Sequence, residues 1–236
     1  MPDTTENPRQ NVTFPSNGGE AHGYLATPPS GNGPGLIVIQ EWWGLDDHIA
    51  DVTDRFSREG YVALAPDLYG GKLAHDENEA MNYLMSLDVQ QAAKDLSGAV
   101  DFLLARDDVS GNKIGVVGYC MGGGFVLLLA ANAGDKIAAA VPYYGVGPGV
   151  ENADLSGITA DVQGHYGEQD EMFPVQQVRE FEQKLREQAK GEVTFYYYPA
   201  GHAFHNDENK IGNYDKDAAQ QAWQRTLEFI QAKLGS

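Results

Sequence analysis

One cysteine, Cys120, is all that the 236 residues contain. A single thiol cannot close an internal disulfide, and without a second cysteine there is no C-x-x-C pair for redox exchange or zinc. Positive charge is scarce too: 16 Lys and Arg stand against 34 Asp and Glu, a formal net charge of −18. Nucleic acids and anionic membranes are bound through basic patches, so neither is an expected partner. No uninterrupted apolar stretch approaches the ~18 residues of a membrane-spanning helix, and the polar start MPDTTENPRQN lacks the apolar core of a signal peptide. Neither G-x-x-x-x-G-K-[ST] nor G-x-G-x-x-G occurs, which removes the common phosphate cradles. The expectation is a soluble, cytoplasmic monomer whose partner is a small molecule.

What is present is an alternation of extended and helical patterns. LIVIQ (36–40), YVALAP (61–66), KIGVVGYC (113–120), AAAVPYYG (138–145), DVQGHYG (161–167) and EVTFYYYP (192–199) are short apolar runs, as strands covered on both faces require. Between them Leu96, Val100, Leu103 and Leu104 share a helical face, as do Val178, Phe181 and Leu185, and again Trp223, Leu227, Ile230 and Leu234. Repeated strand–helix alternation predicts a mostly parallel central sheet with helices on both faces. Upstream, QNVTF and HGYLATP joined by SNGG read as an antiparallel hairpin. Residues 1–11 are expected to be a flexible segment and 12–236 a single α/β domain, since no internal repeat or long linker divides the chain.

Cys120 stands in G-Y-C-M-G (118–122), between the apolar runs KIGVVGYC and FVLLLAA. The form G-x-C-x-G at a strand-to-helix junction matches the nucleophile elbow G-x-S-x-G, in which a sharp turn holds the nucleophile in a strained conformation. A residue with positive φ costs about 1–3 kcal/mol, and glycines two before and two after give the backbones room to approach. The turn aims the sulfur at the positive end of the following helix, which favours thiolate. It also points the Met121 N–H toward a developing oxyanion. A buried cysteine in a glycine-rich turn would carry the same letters, so a base and an orienting acid are needed as well. Elbow folds carry them in the order nucleophile, acid, histidine. Asp170 in GEQDEMFP follows the DVQGHYG strand, and His202 in PAGHAFHND follows EVTFYYYP. Both sit where open α/β sheets assemble their sites. Glu168 and Glu171 flank the acid, and His205 is a second possible base.

These residues resemble the dienelactone hydrolase (carboxymethylenebutenolidase) family of the α/β-hydrolase superfamily. The likeness is carried by the elbow G-Y-C-M-G-G, the Asp170 and GHAF loops, QEWWG (40–44), PDLYGGK (66–72) and YYGVG (143–147), and runs from about residue 12 to about 232. It implies an α/β-hydrolase fold of about eight strands and a Cys120–Asp170–His202 triad that hydrolyses small esters or lactones through a thioester. It also implies that Glu41 accepts the thiol proton when substrate arrives, that the Trp42 N–H joins that of Met121 in the oxyanion hole, and that Trp43 lines the pocket. No metal or cofactor is called for. Residue type and position add Tyr144, Phe173 and Phe204 to the pocket wall.

One part of the family pattern is missing. Members that cleave dienelactones clamp the substrate carboxylate with two arginines. An ungapped reading puts Glu77 and Asn206 at those positions, and no arginine occurs between Arg58 and Arg106 or between Arg186 and Arg225. Lys72 or His205 would be poorer clamps than a bidentate guanidinium. The expectation is therefore ester or lactone hydrolysis with the dienelactone substrate left open. A broader carboxylesterase or thioesterase and a non-catalytic ligand-binding protein are the alternatives. A cysteine-elbow glutamine amidotransferase fits less well, because its His-x-Glu pair is absent after the nucleophile.

Overall fold

Residues 12–26 alternate in burial as a half-covered hairpin must. A computed structural model describes residues 7–146 and 149–235. In it β1 (Val12–Ser16) pairs antiparallel with β2 (Gly19–Ala26), and Ser16 faces Gly19 across a two-residue turn. Asn17 and Gly18 both have positive φ, 38° and 88°, the geometry of the tight hairpin turn that asparagine and glycine favour. Phe14 points inward between exposed Thr13 and Pro15.

The chain divides into two compact units between Ser110 and Gly111. In the first, β2 continues antiparallel onto β4 (Val62–Pro66), which pairs parallel with β3 (Gly33–Ile39). Gly23 makes the β2–β4 pairing possible, since a Cβ there would lie 2.6 Å from the Ala65 carbonyl oxygen. Helices α1 (Asp47–Arg58) and α3 (Val89–Leu104) both pack on β4, whose five residues are all buried. Each begins with an aspartate cap: Asp46 accepts from the Ile49 N–H and Asp88 from those of Gln90 and Gln91. Between them lies α2 (Glu77–Ser86), in which only Ala80 is buried. Residues 1–6 of the segment expected to be flexible lie outside the described residues. Residues 7–11 are hydrogen-bonded: the buried Asn7 donates to the Leu45 carbonyl, Gln10 donates to Asp67, and Asn11 exchanges two bonds with Leu25.

The second unit is built on parallel pairing. β5 (Val109–Tyr119), which starts just ahead of the division, pairs with β6 (Ile137–Tyr143); β6 pairs with β7 (Asp161–Gly167), and β7 with β8 (Val193–Tyr198). Helices α4 (Met121–Ala133) and α6 (Lys216–Leu234) both rest on β6, while α5 (Val175–Gln188) covers β7 and β8. The expected helical face of α5 is buried as read. On α6 it holds only for Ile230: Ala219, Ala222 and Thr226 are buried with it, whereas Trp223, Leu227 and Leu234 are half-buried. Small residues let α6 approach β6 closely, and the large apolar side chains straddle the margin of the contact.

Register fixes the functional edge. Tyr119 lies beside Tyr143, Tyr143 beside His165, and Gly167 beside Tyr198. The C-terminal ends of β5, β6, β7 and β8 therefore finish level, and the segments that follow them open on one side. Among the described residues no helix is long and apolar enough to cross a membrane.

Candidate active site

β5 ends at Tyr119, and α4 begins at Met121, so the whole reversal falls on Cys120, at φ 53° and ψ −118°. An L-residue holds that conformation only when its surroundings enforce it. The Cys120 N–H donates to the Tyr143 carbonyl at 3.1 Å, and its own carbonyl accepts from the Gly123 N–H at 2.9 Å. Three glycines leave the space. A Cβ on Gly118 would stand 2.3 Å from the Gly122 oxygen, one on Gly123 2.8 Å from the Tyr143 oxygen, and one on Gly145 1.9 Å from the Cys120 oxygen. All three obstacles are backbone. Side-chain caps are absent at the start of α4, so the positive end of the helix is presented to the cysteine.

Asp170 and His202 follow β7 and β8. Gly167 permits the two chain ends to converge, because a Cβ there would meet the Ala200 oxygen at 2.3 Å. The Glu168 N–H then donates to Tyr198 and that of Gln169 to Ala200. One oxygen of Asp170 accepts from the N–H groups of Met172 and Phe173 at 2.8 and 2.9 Å; the other bonds His202 Nδ1 at 2.8 Å. The carboxylate is thus locked in orientation. On the far side of the ring, His202 Nε2 lies 3.2 Å from Cys120 Sγ. Cysteine, histidine and aspartate form one line, and all three are buried. Burial opposes a charge on His202, but the charge of the neighbouring sulfur and the hydrogen bond to Asp170 outweigh it and raise the imidazole to about 10. The raised value favours the protonated ring, with one nitrogen toward the carboxylate and the other toward the sulfur.

Tyr144 and Phe173 flank that ring, with centroids 5.3 and 5.6 Å away. Tyr144 also has positive φ, 35°, and its N–H donates to the His165 carbonyl at 2.8 Å. Phe204, expected on the pocket wall, is fully buried against Tyr143, Tyr144 and Tyr198. It belongs to the core behind the site, because the backbone reverses at Ala203 (φ 57°) and turns the next side chain inward. The other possible base, His205, is buried with its ring stacked on Tyr119 and close to Tyr143 and Trp223. Of the alternative acids, Glu168 faces Arg179 at 3.6 Å and Glu171 is exposed.

Glu41, Trp42 and Trp43 lie in the first unit, directly after β3. All three are buried; the Glu41 carbonyl accepts from the Gly44 N–H, and the two indoles meet edge-to-face at 5.3 Å. Of the two residues that an ungapped reading sets against the family's arginines, Glu77 is the exposed first residue of α2 and Asn206 is buried, its side-chain oxygen accepting from the Glu208 N–H. Lys72 has its ammonium 5.7 Å from the centre of the Tyr83 ring. Sequence reasoning missed Gly145 and Gly167. The signal available for both was a lone glycine at the end of an apolar strand, which marks close backbone approach.

A model of the dienelactone hydrolase family matches residues 21–234. Protein usf of Aquifex pyrophilus is 36% identical over 231 residues, spanning 95% of this chain and 99% of that protein. A Yersinia pestis protein provisionally named a carboxymethylenebutenolidase is 33% identical over 235 residues, spanning 93% of this chain and 86% of its own. Among solved structures, a Klebsiella pneumoniae protein provisionally named a dienelactone hydrolase superposes with a TM-score of 0.79 at 31% identity, covering 93% of this chain and 96% of that one. With eight strands, most of them parallel to their neighbours, the fold is the α/β-hydrolase fold expected from the sequence.

Proposed function

The chain belongs to the dienelactone hydrolase family, and on that premise we propose that it hydrolyses small esters or lactones with Cys120 as nucleophile, His202 as acid and base, and Asp170 as the group that orients the histidine. The observation that carries the reading is the unbroken line from sulfur to imidazole to carboxylate, 3.2 and 2.8 Å, at a cysteine held with positive φ.

The thiolate attacks the carbonyl carbon and a C–S bond forms. The carbonyl oxygen becomes an oxyanion, for which the Met121 N–H at the head of α4 is a donor. On collapse the C–O bond to the leaving group breaks, and imidazolium gives its proton to the departing oxygen. The product at this stage is a thioester. Neutral His202 then takes a proton from water as the water attacks; the C–S bond breaks, releasing the acid and leaving thiolate beside imidazolium, and return of the proton from Glu41 restores the resting thiol. For Glu41 as proton acceptor of the resting thiol, Trp42 as second oxyanion donor and Trp43 as pocket wall, the support is the family resemblance. We read the protein as a soluble monomer acting in the cytoplasm.

A broader carboxylesterase is favoured over a strict dienelactone hydrolase by one observation: no arginine occurs between Arg58 and Arg106 or between Arg186 and Arg225, the stretches in which an ungapped reading puts the family's carboxylate-binding arginines. Wild type and Cys120→Ala are compared on a dienelactone with a free carboxylate and on a neutral aryl ester. Wild type is expected to turn over the neutral ester faster, with a thioester adduct trapped on Cys120 by acid quench and mass spectrometry. The alanine variant is expected to lose at least about 10³-fold in kcat, as when other triad members are removed. Equal activity of the two proteins overturns the assignment of the nucleophile.

A further inference from the structure

Phe173 has two neighbours. Its ring centroid lies 5.6 Å from that of His202, and the same side chain lines a cavity of about 450 Å³ whose remaining apolar wall is Val146, Val178 and Phe181. Val146 lies two residues beyond Tyr144, the other aromatic side chain against His202. The cavity therefore shares Phe173 with the surroundings of the imidazole. Its size is ample for one ring, since a cavity of about 150 Å³ already holds benzene.

Position says which half of the substrate belongs here. The group that protonates a leaving oxygen must sit on the leaving-group side of the scissile carbonyl. That group is His202, so a cavity that borders Phe173 beside His202 lies on the side of the departing alcohol. Charge says what kind of alcohol. Glu151 and Glu180 border the cavity, and the one cation, Lys184, donates to the Glu151 carbonyl oxygen. An anionic group would meet two carboxylates and a single ammonium already engaged.

We propose that this cavity, in the reading of the protein as a Cys120-dependent hydrolase on which the inference rests, binds the leaving alcohol or enol of the ester and selects an uncharged ring. The affinity comes from apolar contact with Phe173, Val178 and Phe181, and the selectivity against acids from Glu151 and Glu180.

The test compares kcat/KM for three acetate esters: phenyl, 3-carboxyphenyl and 2,2,2-trifluoroethyl. All share one acyl group, so differences report the leaving side. Wild type is expected to prefer phenyl over 3-carboxyphenyl acetate by about 10-fold or more, the scale on which one pocket contact discriminates. Gln177→Trp fills the cavity from an exposed helix position. It is expected to lower the phenyl-to-trifluoroethyl ratio by about 10-fold. Glu180→Lys is expected to shift preference toward the carboxylated ester. If Cys120-dependent turnover is intact but both ratios are those of wild type in these variants, the cavity assignment is overturned and the catalytic reading stands. If turnover of all three esters is independent of Cys120, or absent, the catalytic reading falls and the cavity assignment with it.

Discussion

His202 is the residue on which the electrostatics of the site converge. A buried imidazole on its own loses its charge; here the sulfur of Cys120 and the carboxylate of Asp170 raise it to about 10 instead. The folded value stands above the unfolded value of about 6.5. Its contribution to stability is therefore fully present below about pH 6.5 and is lost as pH rises through about 10. Urea unfolding of wild type should show a fall in stability across that interval that His202→Gln lacks, and parallel curves for the two proteins would remove the linkage. Because the charge of Cys120 is the largest of the raising influences, Cys120→Ala should bring the His202 titration down, measured by NMR on the ring nitrogens; an unmoved titration would make Asp170 the sole cause. Cys120, Asp170 and His202 were legible in the sequence because a glycine-flanked elbow and a fixed chain order are local signals. The choice among Asp170, Glu168 and Glu171, and between His202 and His205, was not. It depends on loop backbone, above all the positive φ of Ala203, which sends His202 toward the sulfur and leaves Phe204 and His205 in the core. An alanine gives no warning of such a turn.

Helix α6 supports this site from below through a buried polar chain. Thr226 Oγ1 bonds the Tyr143 hydroxyl at 2.6 Å and His165 Nε2 at 3.1 Å, and His165 Nδ1 bonds the Tyr198 hydroxyl at 2.8 Å. Burial keeps His165 neutral, its value pushed well below the ordinary one. Tyr143 accepts the Cys120 N–H and His165 accepts that of Tyr144, so the network fixes the two positive-φ residues at the elbow. Thr226→Val keeps the shape but removes the partner of the buried Tyr143 hydroxyl and one of the two partners of His165 Nε2, which also meets Gln163 Oε1 at 3.1 Å. The expected cost is about 1–3 kcal/mol, read from the urea midpoint at unchanged slope, and a variant as stable as wild type would mean the hydroxyl is dispensable. At this scale the strands were legible as short apolar runs, and α3 and α5 from their periodicity. Helices α1 and α2 were not picked out. The buried face of α1 interleaves Ile49, Val52 and Phe56 with polar His48, Thr53 and Ser57, and α2 buries only Ala80. The start of β5 at Val109 was missed because Ser110, Gly111, Asn112 and Lys113 are polar or small and exposed. On α6 the largest apolar residues drew three of the four expected positions to the margin, since contact there is made by alanine, threonine and Ile230.

Across the whole molecule the fold was legible because strand–helix alternation and the elbow agree, and because both are properties of chain order rather than of side-chain packing. Substrate choice was not legible, since it depends on where residues such as Glu77, at the head of α2, and Asn206 come to lie. Charge is the one global property that sequence alone supplies in full. Even with every Lys and Arg paired, 18 acidic groups would be left over, and net charge of that size works against the compact state. The ion pairs that salt could weaken in return are modest. Arg55–Asp51 and Arg179–Glu168 are partly or well exposed, and such pairs are worth about 0–1 kcal/mol each. Screening of the surplus should therefore win. Raising sodium chloride from about 10 mM to about 0.5 M, which shortens the Debye length from about 30 Å to under 8 Å, should raise the Tm. Each kcal/mol gained appears as about 2–4 °C for a chain of this length. Potassium chloride should act equally, and the rise should level off once the Debye length falls below the spacing between surface carboxylates. A Tm that falls with salt would mean that paired charges, not the acidic surplus, dominate the electrostatic balance of the fold.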